Sequence, residues 1–266
     1  MKKYFVLSFT IVFCLFTACG NKSAAKANSG TTTDSLSMAT QSEYIKADVY
    51  ETNKGPLKVT LVGHGSVMFE YGGKIIQVDP YSKIADYSKL PKADLIILTH
   101  EHADHLDTVA INAVKRADTH YIVSKVCNEI LKYGDIMNNG DKTVWSDISI
   151  EAVPAYNIVN KNPQGGFYHP KGRGNGYVFS FGDKKVYVAG DTENIPEMDR
   201  LKGSIDIAFL PKNLPYTMND DMFVDAAKKV RPKVLYPYHM SEFDNDKISK
   251  ALDGTGITLE VRPMKN

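Results

Sequence analysis

Short apolar runs divided by polar and glycine-rich turns fill the chain from residue 57 onward, and they predict strands more often than long amphipathic helices. Residues 57–62, 67–71 and 74–78 are three such runs, with Gly72-Gly73 as a hairpin turn and Asp79-Pro80 as the stop. A fourth strand at 94–98 feeds a histidine-rich loop. Helical spacing follows at 106–116, a strand at 120–123, and a helix at 125–133 closed by Gly134. Residues 143–153 read as β-rich, and a Gly/Pro-rich loop spans 160–176. A hairpin of 177–181 and 185–189 turns at Gly182-Asp183 and leads into Gly190-Asp191-Thr192. The last third offers a strand at 205–210, a helix at 222–230 and a strand at 234–237 with His239 just beyond. No repeat of fixed period is evident. Early hairpins followed by strands alternating with helices predict an α/β (α+β) chain of two packed sheets with helices outside.

The amino-terminal pattern differs. Lys2-Lys3 precede an apolar run over 4–16, which meets Thr17-Ala18-Cys19-Gly20. That order resembles a bacterial export signal ending in a lipobox, so residues 1–18 are expected to be removed and Cys19 to carry lipid. The run is shorter than the roughly 20 residues a spanning helix needs. Residues 19–43, poor in large apolar side chains, read as a flexible tether, with one domain over 44–266. The expected location is a lipid-anchored, exported protein on the periplasmic or cell-surface side of a bacterial membrane.

Composition limits the remaining choices. A hydrophobic content of 43% over 266 residues supports a sizeable core. The formal charge is +1, and losing the signal removes two lysines and no acid, giving −1. Nucleic acid is therefore not an expected partner. Of three cysteines, only Cys127 would remain an unmodified thiol, and its setting reads as a buried helix residue, so no internal disulfide is expected.

Chemistry concentrates in one place. Three of seven histidines lie in His100-Glu101-His102-Ala103-Asp104-His105, directly behind the apolar run 95–98. Imidazole and carboxylate suit borderline divalent cations, and a strand end followed by a tight loop can aim alternate side chains at one point. The spacing predicts ligands for two adjacent ions. Glu101, between ligands, is expected to be solvated, and His120 to be structural.

Taken with Gly190-Asp191-Thr192 and Tyr238-His239, the H-x-H-x-D-H motif resembles the metallo-β-lactamase superfamily over residues 44–261. The resemblance implies a four-layer αββα sandwich of two mixed sheets with a dinuclear site at their common edge. By position, His100 and His102 would bind one ion, Asp104, His105 and His239 the other, and Asp191 would bridge them. Asp79 resembles the aspartate that steadies such sites from behind. His64, in Gly63-His64-Gly65-Ser66, resembles an element of lactonase-like members that lies near substrate. Many members carry a further histidine where this chain has Tyr156-Asn157, and either His169 or the Asn157 carbonyl could complete the first site. Zinc is the expected metal, with manganese as the alternative that oxygen ligation would favour.

Two cations sharing a carboxylate lower the pKa of a common water, so the expected activity is attack by metal-activated hydroxide on an ester, lactone, amide or phosphodiester bond of a small molecule. Asp104 would orient that hydroxide or receive its proton. Lys161, His169, Lys171 and Arg173 stand in a loop with no acid across 157–182, which suggests an anionic substrate, and Tyr216 could line the pocket. Two other classes stay open: a metal-binding protein without catalysis, and a di-iron oxidoreductase, whose motif carries glutamate where this chain has His102.

Overall fold

The computed structural model describes residues 45–265. The expected export signal, Cys19 and the expected tether lie outside the described residues. Two seven-stranded sheets face each other. The first contains β1 (Lys46–Thr52), β2 (Gly55–Gly63), β3 (Ser66–Tyr71), β4 (Lys74–Val78), β5 (Leu95–Leu98), β6 (His120–Val123) and β7 (Asp135–Ile136), in chain order across the sheet. The second contains β8 (Lys142–Trp145), β9 (Ile148–Ala155), β10 (Gly174–Phe181), β11 (Lys184–Val188), β12 (Ile207–Lys212), β13 (Val234–Met240) and β14 (Thr258–Leu259), again in order. In each sheet the first four strands pair antiparallel and the later ones parallel. The halves thus share one topology without sharing a sequence period.

Burial on both faces of the central strands explains why they read as continuous apolar runs. Leu95 and Ile97 of β5 point into the inter-sheet core with Phe69, Phe179 and Phe209. Ile96 and Leu98 point the other way, against α1 (Thr108–Val114) and α2 (Lys125–Leu131), where Ala110, Ile111, Val114 and Cys127 receive them. In β12, Ile207 and Phe209 face the core, while Ala208 and Leu210 pack on α3 (Asp220–Val230) and α4 (Asn245–Leu252) through Phe223, Ala227, Ile248 and Leu252. The result is the expected four-layer αββα order. Each helix starts at a side-chain cap, Asp107, Ser124, Asn219 or Asp244, that accepts from a backbone N–H of its first turn.

The differences from expectation have local causes. β1 is an edge strand whose side chains are largely exposed, so no apolar alternation announces it. α4 is a short helix that buries Ile248 and Leu252, an i, i+4 pair on one face of an otherwise charged sequence. β7 and β14 have two residues each. Cys127 is fully buried as expected, and burial pushes its thiol pKa up to about 12.

Candidate metal centre

Parallel strands bring their carboxyl ends to one edge, and the alternating order of both sheets makes it the same edge for every chemically equipped turn. His64 follows β2, Asp79 follows β4, residues 99–105 follow β5, Asp191 follows β11, and His239 lies near the end of β13. The loop from β9 to β10 carries Asn157 and His169 over them. His64, Asp79 and His239 hold φ of 47°, 46° and 48°. Such values are uncommon outside glycine and concentrate where a turn must aim a side chain. Gly65 is required for a different reason: a Cβ there would lie 2.7 Å from Cε1 of His105.

Three overlapping groups of side chains converge: His100, His102 and His169; His64, Asp104, His105 and His239; and His100, His105 and Asp191. In the first, Nδ1 of His102 is 3.2 Å from Nε2 of His100 and 3.1 Å from Nε2 of His169. In the second, Oδ2 of Asp104 is 3.5 Å from Nε2 of His239 and 3.9 Å from Nε2 of His105. Asp191, in the third, lies between the other two. Its Oδ2 is 3.3 Å from His169, 3.9 Å from His100 and 3.4 Å from His239, and its Oδ1 is 3.5 Å from His105. Ligands about 2.1 Å from a tetrahedral cation stand about 3.4 Å apart, so these separations are those of a coordination shell.

Proton positions follow from the surrounding groups. Thr99 Oγ1 donates to Asp79 Oδ2 at 2.5 Å and accepts from His100 Nδ1 at 3.0 Å, leaving His100 Nε2 bare. Asp79 Oδ2 also accepts from His105 Nδ1 at 2.8 Å, which turns His105 Nε2 to the centre. Asn157 Oδ1 accepts from His169 Nδ1 at 2.7 Å, so His169 Nε2 is bare as well. His102 has one nitrogen facing both of these, and a single N–H cannot satisfy two acceptors. Nε2 of His105, Nε2 of His239 and Oδ1 of Asp191 are buried with no hydrogen-bond partner. Lone pairs gathered in a buried space repel unless a cation joins them. The donor set therefore fits two divalent ions.

Electrostatics agree with a site built for cations. Burial, with neighbouring imidazoles, lowers the pKa of His100 and His102 and keeps them neutral, as ligation requires. Burial works to raise the carboxylates, but His239 and His105 hold Asp191 well below the usual range, and His239 and His64 do so for Asp104. Burial would likewise lower His105, yet Asp191 and Asp79 raise it well above its ordinary value.

The sequence left two candidates for the third ligand of the first group, and the geometry separates them. His169 enters the group. The Asn157 carbonyl instead faces His169, accepting from its backbone N–H at 2.8 Å besides the ring. Asp79 sits behind His105 as expected. His64, expected near substrate, is on the second group: its Nε2 is 2.9 Å from Asp104 Oδ2 and its ring 3.8 Å from that of His239. Glu101 is not a free carboxylate in solvent but a part-buried partner of Arg173, whose Nε and Nη2 both reach its Oε1, at 2.9 and 2.5 Å. Lys171 is 2.7 Å from Glu197 and lies over the Tyr156 ring. Lys171 and Arg173 thus find their acids outside the loop, where the count over 157–182 could not show them, and Lys161 lies over the Phe167 ring. Tyr216 is 45% exposed, with its ring 5.0 Å from Tyr168. His120 pairs with Asp135.

Sequence reasoning missed Thr99, the link between Asp79 and His100, and Glu193. The Glu193 carboxylate is fully buried and accepts from Asn157 Nδ2 and the backbone N–H groups of Ile158, Val159 and Asn160 at 2.6–3.0 Å. A charged residue two positions after Asp191, in a run ending a buried strand, was the available signal.

A family model described as a beta-lactamase superfamily domain matches residues 58–239. A UPF0173 metal-dependent hydrolase of Archaeoglobus fulgidus is 30% identical over 227 residues, which cover 79% of this chain and 96% of that one. A candidate metal-dependent hydrolase from Parabacteroides distasonis superposes with a TM-score of 0.79 at 45% identity, covering 84% of this chain and all of that structure. Igni18, a metallo hydrolase from Ignicoccus hospitalis, superposes at 0.65 with 25% identity over 79% of this chain and 96% of its own.

Proposed function

Because the chain belongs to the metallo-β-lactamase superfamily, within its UPF0173 metal-dependent hydrolase family, we propose that it hydrolyses an ester, lactone, amide or phosphodiester bond of a small molecule at two divalent metal ions, zinc being the resident metal. The observation that carries this reading is the convergence of bare, buried nitrogens on the two oxygens of Asp191.

His100, His102 and His169 would hold one ion, Asp104, His105 and His239 the other, and Asp191 both. When bound, the pair supplies water activated near neutral pH and polarises the bond under attack. The chain's own groups supply the alignment. Asp79 and Thr99 fix the protons of His105 and His100 on the nitrogens facing away, and Asn157 does so for His169. Asp104 is one-third exposed, the most open carboxylate of the set, with its Oδ2 held by His64. With that oxygen engaged, Asp104 would orient the attacking water or receive its proton. An anionic substrate draws little support here, since Lys171 and Arg173 are already paired.

Chelation followed by zinc reconstitution, with turnover measured on a panel covering the four bond types, tests the proposal. Turnover of at least one class should vanish with metal removal and return with zinc. Full occupancy without turnover would favour a metal-binding protein lacking catalysis.

The lipobox further supports a proposal of anchoring through lipid on Cys19. No helix among the described residues is long and apolar enough to cross a membrane.

A further inference from the structure

Ten large apolar side chains stand exposed among the described residues, and four of them share one place. Ile158, Val159, Leu214 and Tyr216 are 40%, 59%, 51% and 45% exposed. Their two loops are stitched together beside the metal centre: Asn157 Nδ2 donates to the Tyr216 carbonyl at 2.8 Å and Asn160 Nδ2 to the Thr217 carbonyl at 2.9 Å. The Tyr216 ring meets Tyr168 edge-on. Tyr168 in turn lines the cleft formed by His100, His102, His169 and Asp191. The Tyr216–Tyr168 ring pair thus places the exposed apolar loops next to the cleft that the histidines line.

This surface is held out, not left over. The backbone N–H groups of Ile158, Val159 and Asn160 are committed inward to the buried Glu193 carboxylate. That anchor fixes the segment and prevents its side chains from folding into the core. Apolar side chains kept rigid at the mouth of a site gain only by covering something else. Of the loop's cations, Lys171 is paired with Glu197 and Arg173 with Glu101, and Lys161 lies over the Phe167 ring.

We propose that Ile158, Val159, Tyr168, Leu214 and Tyr216 form the specificity surface for an aliphatic acyl chain, whose scissile bond lies at the metal centre. This rests on the hydrolytic reading above and adds the substrate class. A rim covers one side of a chain and leaves the other wet, so each methylene gains about half of full burial, roughly a twofold change in affinity.

Alkyl hydroxamates test this without turnover, because the head group binds metal while the chain samples the rim. Calorimetry on the zinc-loaded protein with aceto-, butyro- and octanohydroxamate should give a Kd at least tenfold lower for eight carbons than for two. The double variant Leu214→Ser, Tyr216→Ser should lose most of that gain. Val144→Ser, at a still more exposed valine on β8, should retain it. Equal Kd along the series, with acetohydroxamate still binding, would overturn the acyl surface and leave the metal reading intact. Failure of every hydroxamate to bind would overturn the metal centre, and the acyl surface with it.

Discussion

Asn157→Ala removes no proposed ligand, yet it should weaken the first metal position as a lost ligand would. The buried Asn157 side chain makes four hydrogen bonds: Oδ1 accepts from His169 N and Nδ1, and Nδ2 donates to Glu193 and the Tyr216 carbonyl. Alanine leaves two buried donors of His169 unmet. Each unmet donor costs about 1–3 kcal/mol, so the total destabilisation is roughly 2–6 kcal/mol. At about 2–4 °C per kcal/mol in a domain of this size, the Tm should fall on the order of 10 °C with the protein still folded. Freed of its acceptor, the His169 ring can turn or carry its proton on Nε2, and loss of such support lowers affinity about 10- to 100-fold. Zinc titration against a chromophoric chelator measures this, and a cycle with His169→Ala isolates the route. In the His169→Ala background, Asn157→Ala should cost no further metal affinity. Wild-type affinity in the single variant, or additive losses in the double, would refute the argument.

Two other perturbations probe separate parts of the account. Asp79→Ala takes the acceptor from His105 Nδ1 and from Thr99, so zinc at the second group should weaken about 10- to 100-fold, read by the same titration, and unchanged affinity would mean that His105 orients itself. Cys19→Ser should move the protein from the membrane to the soluble exported fraction, since the tether has no apolar segment, and retention after fractionation would point to an uncleaved anchor at 4–16.

Much of this fold was legible because its central strands are apolar on both faces and its turns carry glycine. The histidine motif was legible because its ligands are local: His100, His102, Asp104 and His105 share one loop. What joins distant segments was harder to read. His169 and Asn157 could not be ranked as ligands, because their relation depends on a hydrogen bond across 12 positions. Glu193 and Thr99 act only through neighbours brought together by the fold. Part of the positive charge of the 157–182 loop is met by Glu101 and Glu197, which reach it from elsewhere in the chain. β1 escaped notice because an exposed edge strand has little apolar pattern to show.

The central claim is that Asp191 joins two cation positions. Elemental analysis of the purified protein after zinc loading and removal of free metal, wild type beside Asp191→Ala, tests it most directly. The wild type should hold between one and two equivalents, and Asp191→Ala should hold clearly less while keeping its circular dichroism spectrum, because both groups lose the carboxylate that offsets their charge. A well-folded wild type without affinity for zinc or manganese, or an Asp191→Ala protein as fully loaded as the wild type, would contradict it.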